Sequence, residues 1–239
     1  MDGYRDRARP GSALLGALLV AAMLLVASCS LAKPSGQVDA RKPAASDSGP
    51  TRLDPAEVTE YRGERLDPSA TFRENSIKGP QTVDLATYRL EVTGAVSRPE
   101  QYSYDEVTAR ESFEKVVRIS CVEGWSANIL WRGIRLADLI GEAEPSSDAV
   151  AAIFHCADDY TTSLPLAYLD DRDILLAYRM NGIDLPAERG FPFQVVAEDK
   201  WGYKWAKWVT GIEVTTDADY LGYWEQRGYD NEADLSPRR

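Results

Sequence analysis

Histidine is nearly absent: His155 is the only one in 239 residues. A Ser-His-Asp or Cys-His hydrolase would rest entirely on that residue. No serine stands in a G-x-S-x-G turn either. Zinc is equally poorly supplied, because His155 abuts Cys156 and neighbours on a strand point to opposite faces. Glycine-rich phosphate loops of the Walker or dinucleotide type are missing, as is a haem-attachment Cys-x-x-Cys-His. Carboxylates abound, but no spacing singles out an acid–base pair.

Positive charge is also in short supply. The net charge is −11, and residues 1–28 hold three arginines against two aspartates, which leaves −12 for the remainder. Such a surface repels phosphate backbones and argues against a nucleic-acid partner. Any anionic ligand would need a local basic pocket. Apolar residues are plentiful at 44%, enough for a chain of this length to bury one sizeable core.

Cysteine is limited to Cys29, Cys121 and Cys156. Arg5, Arg7 and Arg9 precede an apolar run from Ala13 to Ala27 that is short for a membrane span and ends in "LLVASCS". The pattern resembles a bacterial lipoprotein signal. It implies a signal peptide over 1–28, lipid on Cys29 and a protein anchored on the extracytoplasmic face of a membrane. "SLAKPSGQVDARKPAASDSGP" then reads as a flexible tether. Residues 29–65 are expected to be tether and linker, with a short helix between Thr51 and Asp67, and residues 66–239 one domain. In an oxidising compartment Cys121 and Cys156 could pair, and sequence cannot give the distance between them.

Strand signals outnumber helix signals in that domain. "YRLEVTG" alternates apolar and polar residues, while "VVRISC", "AVAAIFHC", "FPFQVVAE" and "WVTGIEV" are short runs rich in β-branched residues. Helices are expected at 104–110, capped by Ser103, and at 136–140. "DDRDILLAYRM" reads as a helix start at Asp170 that passes into an apolar segment. The expected fold class is α+β with mixed sheets.

Two stretches carry candidate chemistry. "RISCVEGWSANILWRG" sets Cys121 between an apolar run and a Gly-Trp turn. "DKWGYKWAKWVTGIEV" concentrates Lys200, Lys204 and Lys207 among Trp201, Tyr203, Trp205 and Trp208. Lysines beside a glycine-containing loop suit a phosphate or pyrophosphate. A half-exposed strand with tryptophans inward and lysines solvated accounts for the same composition.

Together these segments, with "DDYTTSLPL", "LLAYRMNGIDLPAERGFPFQVVAE" and "YLGYWEQRGY", resemble the cofactor domain of the sulfite-oxidase superfamily. The similarity is strongest to its haem-free bacterial branch, which includes the catalytic subunit of periplasmic methionine sulfoxide reductase, and runs from about 71 to 229. The resemblance implies a mixed α+β domain around a molybdenum–molybdopterin cofactor, with two-electron oxygen-atom transfer on a small or protein-borne substrate such as sulfite or a sulfoxide. Cys121 corresponds to the thiolate that binds molybdenum, a soft ligand suited to that metal. By position the cofactor contacts are Asn75, Cys156, Arg189, Gln194, Trp205, Ala206 and Lys207. Cys156 stands where the reductase has a cofactor-facing threonine. Arg189 and Gln194 stand in the loop where it uses an asparagine and an arginine, so a charged phosphate contact is missing at Gln194. A separate, membrane-bound electron partner and a monomeric state are expected. "YRDRARPGS" has no Arg-Arg pair of the kind that exports folded cofactor proteins, which keeps a cofactor-free lipoprotein binding module as the alternative.

Overall fold

A computed structural model describes residues 56–235. A two-stranded hairpin, β1 (Glu60–Tyr61) and β2 (Glu64–Arg65), comes first. β3 (Leu90–Gly94), β4 (Glu100–Tyr102), helix α1 (Tyr104–Thr108), β5 (Phe113–Ser120), β6 (Ser126–Arg135) and α2 (Leu136–Glu142) follow. β7 (Ala151–Cys156), β8 (Thr161–Pro165), α3 (Leu166–Asp171), β9 (Leu175–Met180), β10 (Ile183–Asp184), β11 (Gln194–Val196) and β12 (Val209–Thr215) complete the order.

The strands form two five-stranded sheets. One runs β10-β9-β6-β5 with β11 also on β9; the other runs β4-β3-β12-β7-β8. β12 pairs in parallel with β3 and antiparallel with β7, so the second sheet is mixed and the fold is α+β. Buried side chains from both sheets belong to one hydrophobic cluster. β7 and β9 are buried on both faces, hence their nearly unbroken apolar runs.

Local chemistry explains the short helices. The Ser103 hydroxyl accepts the Glu106 N–H while the Glu106 carboxylate accepts the Ser103 N–H, a capping box that starts α1. In α2, Leu136, Leu139 and Ile140 recur at helical spacing and are buried.

Two expectations are corrected. The stretch 51–67 contains a hairpin where a helix was expected: Arg62 and Gly63 both have positive φ (50° and 84°), the conformation that matches a two-residue turn to strand twist. Within this stretch the Val58 N–H bonds Asn181 O at 2.8 Å and Glu57 accepts from Ser69 and Asn181. Asp170 lies at the end of α3 rather than at a helix start. The chain reverses through Asp173 (φ 45°) and enters β9 at Leu175.

β6 and β9 approach so closely at a register shift that a Cβ on Gly133 would lie 2.1 Å from Leu176 O. Gly133→Ala is therefore expected to cost more than about 2 kcal/mol in urea unfolding. Gly141→Ala, in α2 with nothing within 4 Å, should instead raise stability by up to about 1 kcal/mol.

Candidate active site

β5 and β6 are adjacent antiparallel strands, and Ser120 pairs with Ser126 at the end of the ladder. The five residues between them make the tip. The Cys121 N–H bonds Trp125 O at 2.9 Å, the Gly124 N–H bonds Cys121 O at 3.0 Å, and Gly124 takes φ +89°. The quoted cysteine segment is thus a closed loop that carries one thiol on a rigid hairpin. Asn75 Nδ2 lies 3.5 Å from Cys121 Sγ and donates to it.

That thiol faces a cavity of about 350 Å³, within the usual range for small-molecule sites. Its walls come from the stretch 72–79, the cysteine loop, Arg189, Gln194, the stretch 202–208, and Trp224 with Tyr229. Trp125 stacks on Phe72, with ring centroids 5.5 Å apart. The Gly202 backbone runs against the loop; a Cβ there would be 3.3 Å from Ser120 O and 3.7 Å from Cys121 Cα. Ser76, which lines the cavity, has a buried hydroxyl with no partner among the described residues.

Six of the proposed cofactor contacts are brought together here: Asn75, Cys121, Arg189, Gln194, Trp205 and Lys207 all line the cavity. Cys156 and Ala206 do not, because both are turned into the core behind the wall. The Cys156 thiol accepts the Lys207 backbone N–H, and burial pushes its pKa well above the ordinary thiol range. Cys121 and Cys156 are both free thiols, so the disulfide alternative is not realised. His155 and Cys156 do point apart: the imidazole is half-exposed, 2.9 Å from Glu213 Oε2, while the sulfur is buried.

The cations are distributed unevenly. Arg189 gives Nε to Ser69 O (2.9 Å) and Nη2 to Phe72 O (2.6 Å), and its guanidinium lies 4.0 Å from the Phe72 ring centre. Burial draws its pKa down. Arg73 pairs with Glu123 at 3.3 Å on the exposed side. A hydrogen bond from Asn75 is the main cause that holds the Glu123 carboxyl below its usual range, with the Arg73 charge assisting. Lys207 Nζ is 2.6 Å from Glu74 Oε1 and 4.4 Å from the Trp208 ring centre. Burial lowers the Lys207 pKa and Glu74 counters that effect.

Backbone geometry fixes this corner. Trp208 is held at φ +55°, an uncommon conformation for a bulky residue that costs about 1–3 kcal/mol. Its indole N–H bonds Ala187 O at 2.7 Å. Gly190 (φ +101°) packs so tightly that a Cβ would meet Lys207 Cβ at 3.1 Å and Gln194 Cβ at 3.2 Å.

The other two lysines are not solvated, contrary to the simple strand picture. Lys200 is buried and pairs with Asp234 at 2.6 Å. Lys204 is wholly buried, bonded to Glu225 Oε1 (2.5 Å), Asn231 Oδ1 (2.9 Å) and Ser163 O (3.1 Å). The Thr162 hydroxyl also donates to Glu225 at 2.7 Å. Composition named these lysines as one group; only their acidic partners from the C-terminal segment separate their roles. Glu74, Ser76, Glu123 and Tyr229 are not singled out as site residues by the sequence, although Glu123 and Tyr229 lie within the quoted segments, since nothing in their spacing marks them.

Lys204→Met would leave the Glu225 carboxylate buried without its cation, at a cost of about 3–5 kcal/mol. Urea unfolding should register that loss, and adding Glu225→Leu should restore more than half of it. Gly190→Ala is expected to lower both the unfolding midpoint and the yield of ligand-loaded protein, because strain and the Lys207 contact act together.

Residues 77–224 match the family model described as the oxidoreductase molybdopterin binding domain. An uncharacterized oxidoreductase of Bacillus subtilis, YuiH, is 36% identical over 151 residues, covering 63% of this chain and 76% of that protein. A putative protein-methionine-sulfoxide reductase subunit of Azospira oryzae, YedZ1, is 38% identical over 147 residues, covering 62% of this chain and 56% of its own. The sulfane dehydrogenase SoxCD of Paracoccus pantotrophus shares the fold at a TM-score of 0.57 and 22% identity, over 59% of this chain and 41% of the solved one. The chain belongs to the oxidoreductase molybdopterin-binding family of the sulfite-oxidase superfamily and is a molybdenum cofactor-dependent oxidoreductase.

Proposed function

We propose that this protein is an exported, lipid-anchored enzyme that transfers an oxygen atom, with two electrons, on a sulfoxide, sulfite or similar oxyanion. The observation that carries this reading is the Cys121 thiol on its hairpin tip, facing a cavity of about 350 Å³ with Asn75 donating to its sulfur. The residues fit the cofactor. Among the described residues no three His, Cys, Asp or Glu side chains converge; a metal at Cys121 would be held together with the cofactor's own sulfur ligands. The unpartnered Ser76 hydroxyl supplies a donor, and Gly202 lines the cavity beside the cysteine loop with no side chain to fill it.

Cys121 would hold the molybdenum, and Lys207, Trp205, Gln194 and Arg189 would border the pterin. When bound, the cofactor supplies a metal centre that exchanges two electrons and one oxygen atom. The chain's own residues do the positioning. Asn75 directs an N–H at the thiolate sulfur, which draws off electron density and keeps the side chain in one rotamer. Trp224, Tyr229 and Tyr203 wall the cavity with aromatic surface and limit water. The name of the Azospira relative favours a sulfoxide among the substrates.

Export and anchoring rest on the N-terminal pattern, where Cys29 lies outside the described residues. Among the described residues no helix is long and apolar enough to cross a membrane. The acyl chain on Cys29 would hold the monomer at a membrane surface on the extracytoplasmic side, beside a membrane-bound electron partner.

Native protein from a molybdenum-competent host is expected to contain close to one molybdenum per chain. Cys121→Ser should lose nearly all of it with an unchanged unfolding midpoint. Well-folded wild type without metal or pterin would move the reading to a cofactor-free binding module. Cys29→Ala should shift the protein from the membrane to the soluble fraction on cell fractionation; retention in the membrane would remove the lipid anchor.

A further inference from the structure

We propose that Glu74 is a displaceable anion in the cavity: it occupies Lys207 until a phosphate group of the cofactor takes its place. This rests on the cofactor reading above and adds a step to how the site fills.

The charge distribution requires such a step. Of the three cations that line the cavity, Arg189 is committed to two backbone carbonyls and Arg73 to Glu123. Only Lys207 is left for a phosphate, and Glu74 already holds it at 2.6 Å. Asp158 is a second carboxyl on the same wall, 2% exposed. Arg189 shares this corner, so the two acids offset two cations, and an anion gains net attraction only when one carboxylate leaves or is neutralised. Asp158 is fixed: its carboxyl accepts the Tyr160 N–H at 3.2 Å and the Ile77 N–H. Burial also raises its pKa, which favours the neutral form.

Glu74 is the movable one. No residue from 72 to 83 donates or accepts a backbone–backbone hydrogen bond among the described residues. The stretch is held instead through side chains: Phe72 by Trp125 and Arg189, Glu74 on Lys207, Asn75 on Cys121, the Ile77 N–H on Asp158 and Lys78 on Asp159. Segments fixed in this way open at low free energy. Glu74 and Asn75 are consecutive, so release of Glu74 from Lys207 shifts the amide that faces the Cys121 sulfur.

The test uses the full chain, purified from a host that cannot make the cofactor, with inorganic pyrophosphate as the probe at fixed ionic strength. Binding is read from tryptophan fluorescence, since Trp205 and Trp208 line the cavity. Glu74→Gln is expected to bind about five-fold tighter than wild type, the scale of one partly buried ion pair. Glu74→Asp should stay near wild type, and Lys207→Gln should abolish binding in both the wild-type and Glu74→Gln backgrounds. Equal or weaker binding by Glu74→Gln, or a gain that survives Lys207→Gln, overturns the proposal. Hydrogen exchange of the wild-type chain decides if Glu74→Gln does not fold: saturating pyrophosphate should change exchange across 74–79, and an unchanged pattern overturns it. The cofactor reading fails separately, on molybdenum and pterin content of protein from a competent host.

Discussion

The buried pair between Lys204 and Glu225 ties the site together. Both side chains are fully excluded from water, where an unpaired charge would be far costlier than a paired one. Lys204 lies on the turn 202–204, whose Gly202 backbone backs the cysteine loop. Glu225 lies on the C-terminal segment, which contributes Trp224 and Tyr229 to the cavity wall. Thr162 and Ser163 on β8 supply the surrounding hydrogen bonds. One ion pair therefore fixes a sheet edge, the cysteine loop and an aromatic wall relative to one another.

Around that anchor the lysine-tryptophan stretch divides its labour by register. Lys200 fastens the tail through Asp234, Lys204 fastens it through Glu225, and Lys207 turns into the cavity. The Trp208 conformation at φ +55° and the glycine at 190 make that last orientation possible. Strain concentrated beside a ligand site persists because surrounding contacts over-determine it. Along the cavity wall three carboxylates, Glu74, Glu123 and Asp158, stand against three cations, Arg73, Arg189 and Lys207. Each of those cations is held by groups of the protein itself.

Much of the fold was legible in the chain. Alternation in "YRLEVTG" and the β-branched runs predict strands that exist, and Ser103 with Glu106 forms the cap its spacing suggests. The misreadings share a cause. The hairpin at 60–65 depends on two positive φ values, and arginine at the first of them carries no turn signal. The end of α3 depends on Asp173 entering the left-handed region, which hydrophobic periodicity does not report. Cys156 holds a position that the resemblance gives to a cofactor contact or to packing; in β7 its side chain packs in the core while that of His155 is half-exposed.

By itself the sequence determined that one cysteine sits in a glycine-tryptophan turn after a strand, that the chain is acidic, and that its motifs match one superfamily. Those are properties of residue type and order, which local sterics and hydrophobicity translate directly. Only the tertiary structure decided which lysine meets the cavity, which cysteine faces it, and which acids answer them. Glu74 is 133 positions from Lys207 in sequence, and Asn75 is 46 from Cys121. Partnerships at such separations are set by how two sheets and a C-terminal segment close around one cavity.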